Sequence, residues 1–232
     1  MKVAIMQPYF LPYLGYFQLI NAVDVFVLYD DVNYINKGWI NRNNILINNK
    51  ATLFTIPLSQ SSQNKLICEN QLVEDEKWKV KFLKTLSYSY NKSPYFKDTY
   101  SILEEIIRYN EINLSKYIHY SITRICKHLG IDTKLISSSS IYHNNHLNGQ
   151  DRIIDICIRE DADLYINAIG GKQLYDKSSF NRNNIELCFL ETNSIKYLQY
   201  GNDFIPNLSI IDLLMFNSLD DIRAFLDDYT LS

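Results

Sequence analysis

The chain has 232 residues, 47% of them hydrophobic, and a formal net charge of -3. That length allows a sizeable core, in one domain or in one with a small appendage, and the composition excludes an intrinsically disordered chain. The charge argues against a general nucleic-acid surface, leaving only a local basic patch around Lys37 and Arg42. No run approaches the roughly 18 apolar residues of a membrane span. The start of the chain lacks the basic region and long apolar stretch of a leader, so a cytoplasmic location is expected. Cys68, Cys126, Cys157 and Cys188 lie too far apart for a metal-site pair, and are expected to be reduced and mostly buried.

Val3 to Ile5 is an apolar run that suits a strand covered on both faces, as in a parallel sheet. It breaks at Gln7-Pro8 and Pro12 and re-enters a helix near Leu14 or Gly15. Asp24 to Tyr29 reads as a second buried strand, followed by a polar loop carrying Asp30, Asp31, Lys37, Trp39, Asn41 and Arg42. Asn44 to Ile47 and Ala51 to Pro57 read as two strands joined through Asn48-Asn49-Lys50, since asparagine tolerates left-handed dihedrals. Ser59 to Asn64 is a surface loop, and alternation around Cys68 to Asn70 suggests a short strand.

Helical spacing then runs over Asp75 to Tyr90, Tyr95 to Tyr109 and Leu114 to Leu129, the last closed by Gly130. These helices predict an insertion or subdomain over 72–130, between the α/β parts 1–71 and 131–232. Lys134 to Ser137 is a strand ending in a serine run, with His143 and His146 in the loop beyond. Gln150 to Glu160 is an amphipathic helix, and Asp163 to Ala168 a strand entering Gly170-Gly171-Lys172 and a short helix to Tyr175 or Lys177. Ile185 to Leu190 is a strand, Leu208 to Leu219 one or two helices, and Leu219 to Tyr229 a last helix. The class is α/β, a Rossmann-like mainly parallel sheet with a helical insertion. Ile40 to Ile45 and Phe180 to Ile185 echo each other before segments read as strands, a repeated loop solution in an asparagine-rich chain.

Polar loops at the ends of two adjacent strands would face one crevice, the usual ligand position in open α/β sheets. Gln7 leaves the first strand there, able to hydrogen-bond a base or an amide. Tyr13 and Tyr16 bracket Leu14-Gly15, where glycine permits close approach at a helix start. Asp30 and Asp31 suit a sugar hydroxyl, an ammonium or a base. Arg42 offers a planar fork and Lys37 a point charge for phosphate. Trp39 stacks on a base or fills the core, with core filling favoured. Gly170, Gly171 and Lys172 resemble a short anion nest without the full phosphate-loop pattern, which rejects a P-loop NTPase. His143 is a candidate general base. Ser209 is read as a helix cap with Asp212 as its reciprocal partner, while Asp203 and Asn207 remain within reach of the crevice.

The opening MQPYFLPYLGYF, Asp24 to Val27, Asp30 to Val32, Trp39 to Arg42, Ala168 to Tyr175 and Phe204 to Leu214 together resemble the WbqC-like family of bacterial polysaccharide loci. The resemblance singles out Gln7, Pro8, Tyr13, Gly15, Asp31, Asn41, Arg42, Gly170, Gly171, Tyr175 and Asp212. It implies a role with surface sugars, some members being thought to attach an acyl or amino-acid group to an amino sugar carried on a nucleotide. The opening also resembles nucleotidylyltransferases with two histidines around a glycine, but Tyr13 and Tyr16 stand where those imidazoles would be.

The leading expectation is therefore a transferase that acylates or aminoacylates the amine of a nucleotide-linked amino sugar, with Asp31 or His143 as base. The diphosphate would rest near Gly15 and Arg42 or at Gly170-Gly171-Lys172. The donor would be a coenzyme A or carrier-bound thioester, bringing an acyl or peptidyl carrier protein as partner. No metal, nucleic acid or membrane span is expected. The alternatives are a nucleotidyltransferase-like or adenylating enzyme, and a non-catalytic partner in a sugar-modifying assembly.

Overall fold

The computed structural model describes residues 1–201 and 203–232, so that only Asn202, within the polar segment before the C-terminal helices, lies outside the described residues. Strand β1 (Lys2–Met6) leads through a proline-rich loop into α1 (Leu14–Asn21) and β2 (Val25–Leu28). A long excursion follows. Strands β3 (Arg42–Ile47) and β4 (Lys50–Thr55) form a hairpin turned by Asn48 and Asn49 at φ 50° and 59°, the left-handed region asparagine tolerates. Short strands β5 (Leu58–Ser59) and β6 (Gln71–Leu72) pair with each other. Helices α2 (Lys77–Tyr90), α3 (Phe96–Arg108) and α4 (Leu114–Leu129) come next, and Gly130 at φ 76° closes α4. The remaining elements are β7 (Lys134–Ile136), α5 (Gly149–Arg159), β8 (Leu164–Ala168), α6 (Lys177–Asn181), β9 (Glu186–Thr192), α7 (Ile210–Phe216), α8 (Leu219–Leu226) and β10 (Tyr229–Leu231).

Six strands make one sheet in the order β10-β9-β8-β1-β2-β7, all parallel except β10. Numbered by appearance within this sheet, that is the 3-2-1-4-5-6 order of the doubly wound Rossmann-like sheet, with its sixth strand reversed. Because β1 has neighbours on both sides and the chain reverses direction across it, the topological switch point lies between β1 and β8.

Both faces of the sheet are covered, which is why β1 and β2 are apolar without alternation. Ala4, Phe26, Ile166 and Leu190 face one core with α1, α4 and α8. Val3, Ile5, Val25, Val27, Leu187 and Phe189 face the other with α5 and α6. Helices α2 and α3 add Leu86, Leu103 and Ile106 to the first core, so the helical segment and the sheet share a continuous apolar interior.

Three local expectations change. The segment around Cys68 is a turn of 3-10 helix over Ile67–Glu69, because the Glu69 carboxylate accepts from the Leu66 N–H at 2.8 Å and ties the backbone into a turn. The last helix ends at Leu226, and Tyr229–Leu231 pairs antiparallel with β9 instead. Asp212 does not close a capping box on Ser209. It turns inward while the Ser209 hydroxyl accepts from Ile211 N–H and donates to the Leu11 carbonyl at 2.7 Å.

Candidate functional site

At the carboxyl ends of β1 and β8, Met6, Gln7 and Ala168 floor a cavity of about 360 Å³ walled by Tyr9, Tyr13, Gly15, Tyr16, Trp39 and Ile40. The loop after β1 supplies Tyr9 and Tyr13, the first turn of α1 supplies Tyr16, and the loop after β2 supplies the tryptophan. Tyr16 is anchored by donating to the Gln7 carbonyl at 2.9 Å. Trp39 is 52% exposed, which corrects the expectation of core filling: its ring lies 6.3 Å from Tyr9 at 37° and presents a free face to solvent. Burial pushes the Tyr9 and Tyr13 phenols up, so both are protonated donors at neutral pH. The cavity wall contains no charged side chain. An apolar, aromatic cleft with one amide and three phenols at a switch point is the usual form of a small-molecule site.

Gly15 serves a different purpose from the one its sequence context suggests. A Cβ there would stand 2.5 Å from the Tyr13 ring and 2.7 Å from the Thr192 hydroxyl. The missing side chain thus lets Tyr13 fold against α1 and places the end of β9 beside it. Thr192 in turn donates to the Gln18 side-chain oxygen at 2.6 Å.

Tyr13 is shared with a second cavity of about 530 Å³, built from the end of β9 and the segment before α7 and lined among others by Asn193, Lys196, Asp203, Phe204 and Asn207. Asp203 and Asn207, expected within reach of the crevice, thus line this second cavity and not the cleft at the ends of β1 and β8. The segment is fixed from below by Asp212, whose carboxylate accepts from the Tyr90 hydroxyl at 3.0 Å, the Tyr197 hydroxyl at 2.8 Å and the Gln199 amide at 2.6 Å. Burial, with no cation among these partners, raises the Asp212 carboxyl above its ordinary value.

Asp30 and Asp31 sit at the end of β2, in a buried polar network. Arg152 of α5 pairs with Asp31 at 2.5 Å, both side chains being at least nine-tenths buried, and Ser139 donates to the other Asp31 oxygen. Arg152 also donates to Asn144 at 2.9 Å and stacks on the Tyr29 ring at 4.9 Å. Asp30 accepts from Ser115 at 2.5 Å and Ser138 at 2.6 Å, and burial raises its carboxyl. Asp31 is therefore an ion-pair acceptor that fixes the ends of β2 and β7, not an unengaged base.

The other expected residues are dispersed. Asn41 is buried between the Tyr34 hydroxyl and the Ile56 carbonyl. Lys37 and Arg42 line a separate hollow of about 390 Å³ behind the Trp39 loop, where Arg42 donates to the Gly38 carbonyl at 3.1 Å. Gly170, Gly171 and Lys172 form a 3-10 turn over Ile169–Leu174 in which neither glycine has positive φ, so the alternating backbone of an anion nest is not formed. Gly171 instead passes close to Asn167, and Lys172 points outward. Tyr175 packs edge-on against Tyr165 and Phe180 on the α5 side of the sheet. His143, exposed at φ 49°, and all four cysteines line none of these three cavities. Among the described residues no three His, Cys, Asp or Glu side chains group as a metal site, and no helix is long and apolar enough to cross a membrane.

Sequence reasoning missed Arg152, which gives no local signal: it stands beside the apolar stripe of α5 and meets Asp31 only through the fold. Tyr9 and Lys196 were within reach, as an aromatic neighbour of Gln7-Pro8 and as the lone cation of a long polar segment.

The sequence pattern of the WbqC-like protein family matches residues 7–224, which takes in every residue lining the two cavities except Met6. The chain belongs to the WbqC-like protein family. A mycobacterial relative, uncharacterized protein Rv1507c of Mycobacterium tuberculosis (strain ATCC 25618 / H37Rv), is 28% identical over 216 residues, covering 92% of each chain. No solved structure matches. WbqC-like membership supports a general sugar-related enzymatic role in polysaccharide biosynthesis.

Proposed function

We propose that this WbqC-like protein is a transferase that attaches an acyl or aminoacyl group to the amine of a nucleotide-activated amino sugar. The observation that carries the reading is the uncharged aromatic cavity at the switch point. A nucleobase there stacks on the exposed Trp39 face, a contact worth about 1–3 kcal/mol for a base on an aromatic ring. The Gln7 amide both donates and accepts, as a base edge requires. In the reaction the neutral sugar amine attacks the thioester carbonyl carbon and the C–N bond forms. The tetrahedral oxyanion collapses as the C–S bond breaks, and the departing thiolate takes the proton released by nitrogen. The Tyr13 phenol, protonated and bordering both cavities, supplies a donor for that oxyanion.

With Asp31 committed to Arg152, this scheme uses no enzyme carboxylate as base. The same observation favours a second reading, a non-catalytic partner that binds the nucleotide sugar for another enzyme. Incubation of pure protein with a panel of nucleotide amino sugars and acyl or aminoacyl thioesters decides between them. N-acylated product supports the transferase; tight binding without turnover supports the partner; neither binding nor product across the panel removes both.

A further inference from the structure

The larger cavity has no assigned role, and its construction argues for one. Residues 193–209 run from β9 to α7, and the described ones among them form no helix or strand. Structureless connections beyond about 12–15 residues in compact domains are uncommon and usually functional. This one is tied down at several points. Asn193 donates to Asp228 at 2.7 Å. Gln199 exchanges bonds with Ile205 at 3.1 and 2.8 Å, and Tyr197 and Gln199 reach buried Asp212. The result is a pocket held open by hydrogen bonds, with Tyr197 and Phe204 packed edge-to-face at 5.1 Å in its wall.

Its chemistry differs from that of the aromatic cavity. Lys196 and Asp203 both line it, and among the described residues neither makes a salt bridge. Asn193 and Asn207 add amide groups, the side chains best able to donate to and accept from ring hydroxyls. One unpaired anion, one unpaired cation and amides beside an aromatic wall match a hexosamine phosphate: ammonium, phosphate, hydroxyls and an apolar ring face.

We infer that this pocket is the amino-sugar subsite, with Asp203 receiving the sugar ammonium, Lys196 the sugar-proximal phosphate, and Asn193 and Asn207 the hydroxyls. The inference rests on the nucleotide-sugar reading above and adds which cavity holds which half. The Tyr13 ring, common to both walls, then lies where the ligand passes from base to sugar. Before reaction the bound ammonium passes one proton to water, the neutral amine then attacks beside Asp203, and the N-acylated product loses the ammonium contact, which favours its release.

The test is titration of the full chain, followed by tryptophan fluorescence and calorimetry, with three probes for each common base: the nucleoside diphosphate alone, its glucosamine conjugate and its N-acetylglucosamine conjugate. Asp203→Asn, on an exposed loop position, is expected to weaken the glucosamine conjugate about tenfold and leave the other two unchanged, the size of one charge-assisted contact. Lys196→Gln weakens all three, and Trp39→Leu weakens all three through the base. If Trp39→Leu weakens binding while Asp203→Asn treats the three probes alike, the subsite assignment is wrong and the proposed function stands. If no probe binds the wild-type protein, both are wrong.

Discussion

Arg152 and Asp31 illustrate how one pair of side chains can matter more for shape than for chemistry. Two charges removed from water are tolerable only together, and removal of one leaves the other uncompensated. Arg152→Leu is expected to cost about 3–5 kcal/mol in urea unfolding, with part regained in the Asp31→Leu/Arg152→Leu double variant. A loss below about 1 kcal/mol would mean that the pair behaves as an exposed one. Asp212 makes the opposite kind of demand. Burial raises its carboxyl, so the native state holds the proton more tightly than the unfolded chain. Its contribution is greatest at and below the ordinary carboxylate value and is lost as pH rises through the raised native value. Wild-type protein is therefore expected to lose stability relative to Asp212→Asn as pH rises through that window. Carboxylates with lowered values, such as Asp163 and Asp176, are common to both proteins and cancel in the comparison. A constant difference across the window would show that Asp212 does not titrate there.

Helix α1 places a different constraint on the chain, because it borders both cavities at its first turn. Gly15→Ala forces both the Tyr13 ring and the Thr192 hydroxyl to move, an overpacking cost of about 1–3 kcal/mol. Loss of nucleotide binding should accompany the loss of stability, and Tyr13→Ala in the same chain, which relieves one of the two clashes, should regain part of the stability but not the binding. If Gly15→Ala leaves the urea midpoint unchanged, the close packing inferred here is absent. At this scale the sequence is readable where a residue type has a local reason to be present. Asn48 and Asn49 give the hairpin, Gly130 the end of α4, and Gln7 the floor of the cavity. It misleads where the same residue type serves two purposes. Gly15 and the Gly170-Gly171 pair both suggest anion contact, yet one accommodates a tyrosine ring and the other forms a 3-10 turn. Ser209 and Asp212 have capping-box spacing, but the carboxylate is drawn to Tyr90 and Tyr197, partners no spacing rule encodes.

For the molecule as a whole, alternating apolar strands and amphipathic helices announce a mainly parallel sheet, but not its order. Nothing in Lys2–Met6 specifies that β2 and β8 flank it, since pairing preferences of apolar strands are nearly interchangeable. The switch point, and with it the meeting of Gln7, Trp39 and Ala168, follows only from that order. For the same reason Asp31 is drawn into the buried pair with Arg152, Arg42 lines a separate hollow, and His143 stays exposed outside the cleft.

The central strand is also the first to be made. Val3 finds Val25 across a short helix, but its other partner is Tyr165, and β2 must wait for Lys134 and the residues after it. A nascent chain leaving the ribosome therefore carries an apolar ribbon with an open edge through most of its synthesis, a state prone to wrong pairing. A chain ended at residue 160 is expected to sediment as aggregate unless a chaperone is supplied, whereas the full chain refolds slowly but to completion. A soluble, monomeric fragment with a native-like near-ultraviolet spectrum would show that β1 and β2 can be sheltered without their late-made neighbour.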